Sequence, residues 1–291
     1  MGGKHRYRVD FPQESVNGPD MRHVLKEWNA LKEKLRGKFL FIFLDYDGTL
    51  APIAPAPDMA VLPGGAREAL KKLSGSPCCK VAVISGRSLE DVKNKLGLEK
   101  IIYSGNHGLE IEGPQLRYTA PVSAAYKKTL ARIKDGLAKG ILPFPGAFIE
   151  DKGLSLTLHF RMAGQKQVPG IKTAFHEAVI LDLAANRVKI KAGKKVLEVR
   201  PVLEWDKGKV VLWLLSRQKF ARGGAGVLPL YIGDDLTDED AFKALRDSGV
   251  TIFVGKPGQT YASYYLRNTG EVRELLERII KLQEETGRCP D

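Results

Sequence analysis

Short, continuously apolar runs punctuate the chain: KFLFIFL at 38–44, KVAVI at 80–84, KIIY at 100–103, LPLYI at 228–232 and TIFV at 251–254. Runs this short and this apolar fit strands buried on both faces, as in a parallel sheet. Amphipathic stretches at 63–73, 88–96 and 238–249 lie between several of them and predict helices. Strand and helix in alternation predict an open α/β sheet with right-handed crossovers. Ahead of the first strand, Val24, Trp28, Leu31 and Leu35 recur at helical spacing and predict a packing helix. Pro12, Gly18 and Pro19 make residues 1–20 read as a loose leader.

Between about 113 and 199 the texture changes. GLSLTLHFR at 153–161 alternates strictly, with Leu154, Leu156, Leu158 and Phe160 on one face and Ser155, Thr157, His159 and Arg161 on the other. That period belongs to a sheet with one face on a core and the other open to solvent or ligand. Helical patterns at 121–138 and 167–182 flank it, and VKIKAGKKVLEVR at 188–200 predicts a hairpin turning at Ala192-Gly193. The expected organisation is a Rossmann-like parallel-sheet α/β core with an inserted α+β module. Residues 1–37 form the leader and packing helix, 38–112 and 200–291 the core, and 113–199 the insertion.

With 43% apolar residues, a chain of 291 can bury sizeable cores. No apolar run approaches membrane-spanning length, which predicts no membrane partner. Cys78 and Cys79 are adjacent and Cys289 lies in a polar tail, so no disulfide framework is expected and a reducing, cytoplasmic setting is the simpler reading. The net charge of +12 could mark a nucleic-acid binder or a surface that steers small anions. Its lysines and arginines are spread along the chain and not gathered among aromatics, which favours the second and predicts no nucleic-acid partner.

Chemistry collects where the strands end. Asp45-Tyr46-Asp47-Gly48-Thr49 follows the first, Ser85-Gly86-Arg87 the second, Ser104-Gly105-Asn106-His107-Gly108 the third and Gly233-Asp234-Asp235-Leu236-Thr237-Asp238 the fourth. Open α/β sheets bind ligands beyond the carboxyl ends of their strands, so the recurrence favours a site. Asp45 and Asp47 point the same way in an extended segment, and such close carboxylates repel unless a cation or shared proton relieves them. Taken alone, Asp-Tyr-Asp-Gly reads as a strand-ending turn. Joined by Asp234 and Asp235, without a histidine or cysteine cluster, it favours a hard ion such as Mg²⁺. Ser85-Gly86-Arg87 would suit an anion at a helix N-terminus, while Ser88 reads as an ordinary cap. Lys207 also lies where a helix begins, an unfavourable place for a cation unless a ligand or Asp206 compensates.

DYDGTL, SGR, DKGK and GDDLTDED, in this order, resemble the motifs of the haloacid dehalogenase (HAD) superfamily. With VAVISGR, SGNHGLE, EDKGLSLTLHFR and EVRP, residues 38–270 look like the trehalose-6-phosphate phosphatases within it. The resemblance implies a HAD core with a cap, and an Mg²⁺-dependent phosphatase acting on a sugar phosphate. It would make Asp45 the nucleophile that becomes an aspartyl phosphate and Asp47 the general acid and base. Lys207, Ser85, Thr49, Gly86 and Arg87 would hold the phosphoryl group, with Lys207 also offsetting carboxylate charge. Mg²⁺ would fall to Asp45, Asp47 through its carbonyl, and Asp234, with Asp235 behind them. Glu150, Lys152 and Glu198 would bind sugar hydroxyls, with Asn106 and His107 reaching the site from the third strand end. Without the resemblance, Glu150-Asp151-Lys152-Gly153 reads as a charged turn and His107 as a structural histidine.

The same core would serve a phosphatase or phosphomutase of another sugar phosphate. A catalytically silent sugar-phosphate sensor would not need the set of Asp45, Asp47, Lys207 and Asp234. Hinges are expected at Glu112-Gly113-Pro114 and Val199-Arg200-Pro201, and a monomer without an obligate protein partner is expected.

Overall fold

A computed structural model describes residues 21–193, 195–222 and 226–286. The leader at 1–20 and Cys289 lie outside the described residues. The short strand β1 (Arg22–His23) and helix α1 (Trp28–Leu35) open the fold, α1 falling on the expected packing stripe. The strand β2 (Phe39–Leu44) is buried at every position. Helix α2 (Gly64–Gly75), strand β3 (Cys79–Ile84), helix α3 (Leu89–Leu96) and strand β4 (Ile102–Gly105) continue the alternation. Strands β2, β3 and β4 pair in parallel.

A hairpin of β5 (Glu110–Gly113) and β6 (Leu116–Thr119) then turns back antiparallel on β4. The cap follows as α4 (Ala124–Gly140), β7 (Phe148–Asp151), β8 (Leu156–His159), α5 (Val168–Ala184), β9 (Lys189–Gly193) and β10 (Val196–Arg200). The chain returns to the core through α6 (Lys207–Ala221), β11 (Val227–Gly233), α7 (Glu239–Leu245), β12 (Val250–Val254), β13 (Tyr264–Leu266) and α8 (Thr269–Thr286).

The core sheet runs β1-β13-β12-β11-β2-β3-β4-β5-β6 and the cap sheet β7-β8-β10-β9. From β2 the chain moves to one side through β3 and β4, then returns to the other side at β11. The carboxyl ends of β2 and β11 therefore meet at a topological switch point, where open α/β sheets form their crevice.

Alternation along β2 separates the core's two faces. Leu40, Ile42 and Leu44 pack with α1, α2 and α8 residues such as Leu31, Leu70 and Leu276. Phe41 and Phe43 pack on the other face with Val210, Leu214 and Phe242 of α6 and α7. The cap has its own core, in which Leu130, Ile133 and Leu137 of α4 and Phe175 and Val179 of α5 cover Leu156 and Leu158.

Some expectations need correction. The core sheet continues past 112 through β6, so the β5–β6 hairpin belongs to the core and not to the insertion. The cap hairpin turns between Gly193 and Val196, since Ala192 still pairs with Leu197 and Gly193 with Val196. Only Leu156–His159 of the alternating stretch forms regular strand. Among the described residues, no helix is long and apolar enough to cross a membrane.

Candidate active site

Asp45 leaves the end of β2, and its N–H donates to Ile232 O of β11 at 2.9 Å. Lys207, the first residue of α6, is buried and reaches across with Nζ 2.7 Å from Asp45 Oδ1 and 2.8 Å from Asp238 Oδ1. The Tyr231 hydroxyl also donates to Asp238 Oδ1 at 2.7 Å. Asp238 Oδ2 accepts from the N–H groups of Asp234 and Asp235, both at 3.0 Å. A fully buried carboxylate thus fixes both the lysine and the loop that carries Asp234.

Carboxylate oxygens of Asp45, Asp234 and Asp238 lie within 4.8 Å of one another. Asp235 lines the cavity beside Asp234, with its Oδ1 accepting from Thr237 N at 2.7 Å and Thr237 Oγ1 at 2.6 Å. Asp238 joins Asp45 and Asp234 in this cluster, with both of its oxygens already accepting from Lys207, Tyr231 and two backbone amides. Gly48 makes the cluster possible. Its φ is +92°, a conformation that favours glycine, and a Cβ there would lie 2.2 Å from Asp234 Oδ2.

The electrostatics leave this cluster short of positive charge. Burial, against the opposing pull of Lys207, and then the Asp238, Asp234 and Asp235 charges push the Asp45 carboxyl well above its ordinary value. Burial would also lower the Lys207 ammonium, but Asp238 and Asp45 outweigh it and hold the lysine charged. Burial acts upward on Asp235 too; there Lys207 and the Thr237 bonds win and keep it ionised. One ammonium facing several carboxylates with only oxygen donors fits a hard divalent cation.

Asp47 lies at the mouth, held by Arg87 with Nε 2.7 Å from Oδ2 and Nη2 2.6 Å from Oδ1. Arg87 also donates to Asp91 Oδ2 at 2.5 Å and stands 5.1 Å over the Tyr46 ring. Ser85 is buried, its hydroxyl accepting from Arg87 N at 3.2 Å. Thr49 is fully buried as well, and neither Ser85 nor Thr49 lines the cavity above Asp45. Ser88 caps α3 by accepting from Asp91 N, as its position suggested.

That cavity, about 460 Å³, opens between the strand ends and the cap sheet. Glu150, Lys152, Thr157, His159, Arg161 and Glu198 form its cap wall, with Gly86, Arg87 and His107 on the core side. Lys152 Nζ donates to Gly86 O at 2.7 Å and lies 3.3 Å from Glu198 Oε1. Glu150 pairs with His159 Nε2 at 2.7 Å, and Glu198 with Arg200 Nε at 2.6 Å. Burial pushes the Glu198 carboxyl up, but Lys152, His107 and Arg200 overcome it and hold the group well below its usual range. Burial, helped by Arg200 and opposed by Glu198, pushes the His107 imidazole down to about 3. Its Nε2 is 3.4 Å from Glu198 Oε2, and its Nδ1 is buried with no hydrogen-bond partner among the described residues. A neutral ring with its proton on Nε2, donating to Glu198, fits both facts.

Asn106 departs from expectation. It does not line the cavity. Its Nδ2 donates to Glu110 Oε2 at 2.6 Å and Lys152 O at 3.1 Å, while Oδ1 faces Ser155 Oγ at 3.0 Å. It is a strut between core and cap, fully engaged by protein. Tyr231, Asp238, Ser155 and Arg200 escaped the sequence reading of the site. Only Asp238 carried a signal, as a further acid at the end of a Gly-Asp-Asp strand terminus.

A family model described as trehalose-phosphatase matches residues 43–269. A probable trehalose-phosphate phosphatase of Oryza sativa subsp. japonica is 37% identical over 270 residues, covering 91% of this chain and 72% of the relative. The crystal structure of a trehalose-6-phosphate phosphatase related protein is similar with a TM-score of 0.69 at 27% identity, covering 84% of this chain and 99% of that one. A haloacid dehalogenase-like hydrolase from Bacteroides thetaiotaomicron, at 16% identity, TM-score 0.61 and coverages of 83% and 100%, shares the fold.

Proposed function

This chain belongs to the trehalose-phosphatase family, a family of phosphatases on the HAD fold, and we propose that it hydrolyses trehalose 6-phosphate to trehalose and inorganic phosphate. Mg²⁺ is the metal of this proposal, and an aspartyl phosphate on Asp45 its intermediate. The observation that carries it is the meeting of Asp45, Lys207, Asp234 and Asp238 beneath a cavity whose far wall is a set of paired, buried cap charges.

The buried carboxylates fit the metal. Asp45 and Asp234 would hold it with Asp238 alongside, and the Asp47 carbonyl is the further donor that the family resemblance supplies. Bound there, Mg²⁺ would neutralise the carboxylates and the phosphoryl oxygens that approach them.

Lys207 fixes one oxygen of Asp45 and balances charge as the nucleophile meets phosphorus. The Asp45 O–P bond forms as the bond from phosphorus to the sugar oxygen breaks, and Asp47 gives that oxygen its proton. Water then attacks the aspartyl phosphate, the P–O bond to Asp45 breaks, and Asp47 takes the proton back. Splitting the displacement replaces one hard step by two easier ones. Arg87 engages both oxygens of Asp47, so Asp47 reaches a leaving oxygen only when Arg87 turns away. An arriving phosphate is the group that draws it, since guanidinium binds phosphate bidentately. Glu150, Lys152 and Glu198 would take the sugar hydroxyls, where a missing partner leaves a buried charge unpaired and so discriminates strongly.

The test is phosphate release from a panel of sugar phosphates with Mg²⁺ or EDTA, for the wild type and Asp45→Asn. Turnover of trehalose 6-phosphate above the others, lost with EDTA and in Asp45→Asn, is the expected result. Preference for another sugar phosphate would overturn the cap assignment. Undiminished turnover by Asp45→Asn would overturn the covalent mechanism.

A further inference from the structure

Ser155 occupies a position in which its hydrogen bonds do not balance. Its buried Oγ lies 3.0 Å from Asn106 Oδ1, in the core, and 3.0 Å from Glu198 Oε1, in the cap. Both partners are acceptors. Glu198 is a carboxylate, kept ionised by Lys152, His107 and Arg200 against its burial. The Asn106 amide cannot turn round to offer a donor, because its NH₂ already points at Glu110 Oε2 and at Lys152 O. A flip would set its oxygen against both of those acceptors. A serine hydroxyl has one proton, so it serves one neighbour at a time and leaves the other facing its lone pairs.

The two acceptors differ in what they join. The bond to Glu198 lies within the cap. The bond to Asn106 spans cap and core, next to the Asn106–Lys152 strut. A charged acceptor draws a hydrogen bond more strongly than a neutral amide. Unless a further donor satisfies Glu198, therefore, the proton sits on the Glu198 side and the spanning bond is unmade.

We propose that Ser155 is a positioning residue that couples sugar recognition to cap docking: when a sugar hydroxyl donates to Glu198, the Ser155 proton passes to Asn106 and closes a further cap–core bond. This inference rests on the reading of Glu198 as a sugar-hydroxyl acceptor. The Ser155 hydroxyl itself touches no substrate. It converts occupancy of a cap carboxylate into a bond at the junction, so the ligand favours the docked cap through differential interaction with its two states.

The test joins kinetics with amide hydrogen exchange across residues 150–158, with trehalose as the probe because it offers hydroxyls and no phosphoryl chemistry. In the wild type, trehalose is expected to slow exchange in this segment, and in Ser155→Ala that protection is lost. Toward trehalose 6-phosphate, Ser155→Ala frees Glu198 for the sugar and is expected to lower KM roughly 5-fold, the difference between a charged and a neutral hydrogen bond, with kcat changed by less than about twofold. In a Glu198→Gln background, Ser155→Ala should then add little, because the competition it relieves is gone. A residue that only supports the fold would give additive losses instead. If Ser155→Ala does not fold, Ser155→Cys, with a weaker donor of similar size, should show intermediate protection.

Equal protection by trehalose in wild type and Ser155→Ala, no protection in either, or strict additivity with Glu198→Gln would each overturn the coupling. Ser155-dependent protection in a wild type that does not hydrolyse trehalose 6-phosphate would overturn the proposed activity and leave the coupling standing.

Discussion

Asp238 is buried, receives hydrogen bonds from Lys207, Tyr231 and two backbone amides, and so ties α6, β11 and the Asp234 loop together. Removing one partner of a buried pair leaves the other charge uncompensated, at a cost of about 3–5 kcal/mol. Asp235 shares the motif but bonds only locally to Thr237. Asp238→Asn is therefore expected to lower the urea midpoint far more than Asp235→Asn; equal shifts for the two would refute the assignment. Asp45, Asp47 and Lys207, which line the cavity, were legible in the sequence because each stands where an apolar run or helix pattern begins or ends. Asp238 was not. An aspartate at the start of a helix is an ordinary cap, and only the tertiary fold turns this one back onto Lys207. Asn106 stands outside the main cavity for a related reason: a strand end marks residues near a cleft, but side-chain orientation decides which of them face it.

The short element after β4 concentrates strain and charge. Asn106 and His107 have φ of +51° and +54°, a conformation side-chain-bearing residues adopt sparingly, and it turns the His107 ring under Gly86 and toward Glu198. The folded protein holds His107 neutral down to about pH 3, whereas an unfolded histidine takes its proton near 6.5. Protons therefore bind the unfolded state first as pH falls. The His107 contribution to stability is present above about pH 6.5 and is lost as pH falls from there toward 3, at up to roughly 1.4 kcal/mol per pH unit. Glu198, depressed below its usual 4.5, adds to the loss at lower pH in the same direction. Chemical denaturation between pH 7 and 4.5 should show this slope, and His107→Gln should flatten it; an unchanged slope would sink the account. The elements themselves were mostly legible: continuous apolar runs became the parallel strands and helical stripes their covers. The β5–β6 hairpin was not, because its half-exposed alternation resembles the cap's texture rather than the core's continuous runs. Pairing with β4, a tertiary fact, assigns it to the core.

The molecule as a whole is two packed bodies with the site between them. Lys152 to Gly86 O, Asn106 to Lys152 O and Arg161 to Ala54 O, the last at 2.7 Å, bridge cap and core around the cavity. Net of the water that replaces it when the halves part, the neutral Asn106 bond contributes about 0.5–1.5 kcal/mol and each bond from a charged donor about 1.5–3 kcal/mol. A docked cap held this way can open for substrate, and a ligand that bridges the halves by a few kcal/mol can draw it shut again. The crossing segments lie where the sheets end, after Thr119 of β6 and between Arg200 and Lys207, the first of them beyond the 112–114 expected from composition. Trp205 Nε1, bonded to Gly108 O at 2.6 Å, anchors the second crossing to the core. Rotation about it would start near Arg200 and Pro201, where the sequence placed a hinge. Closure would exclude water from Asp45 and bring Glu198 over the bound sugar, so phosphoryl transfer would wait on the cap. Small-angle scattering should therefore give a smaller radius of gyration with Mg²⁺, trehalose and a phosphate analogue together than for the protein alone. Equal radii would mean that this chain binds its substrate without moving its cap, and that specificity comes from a cavity already in place.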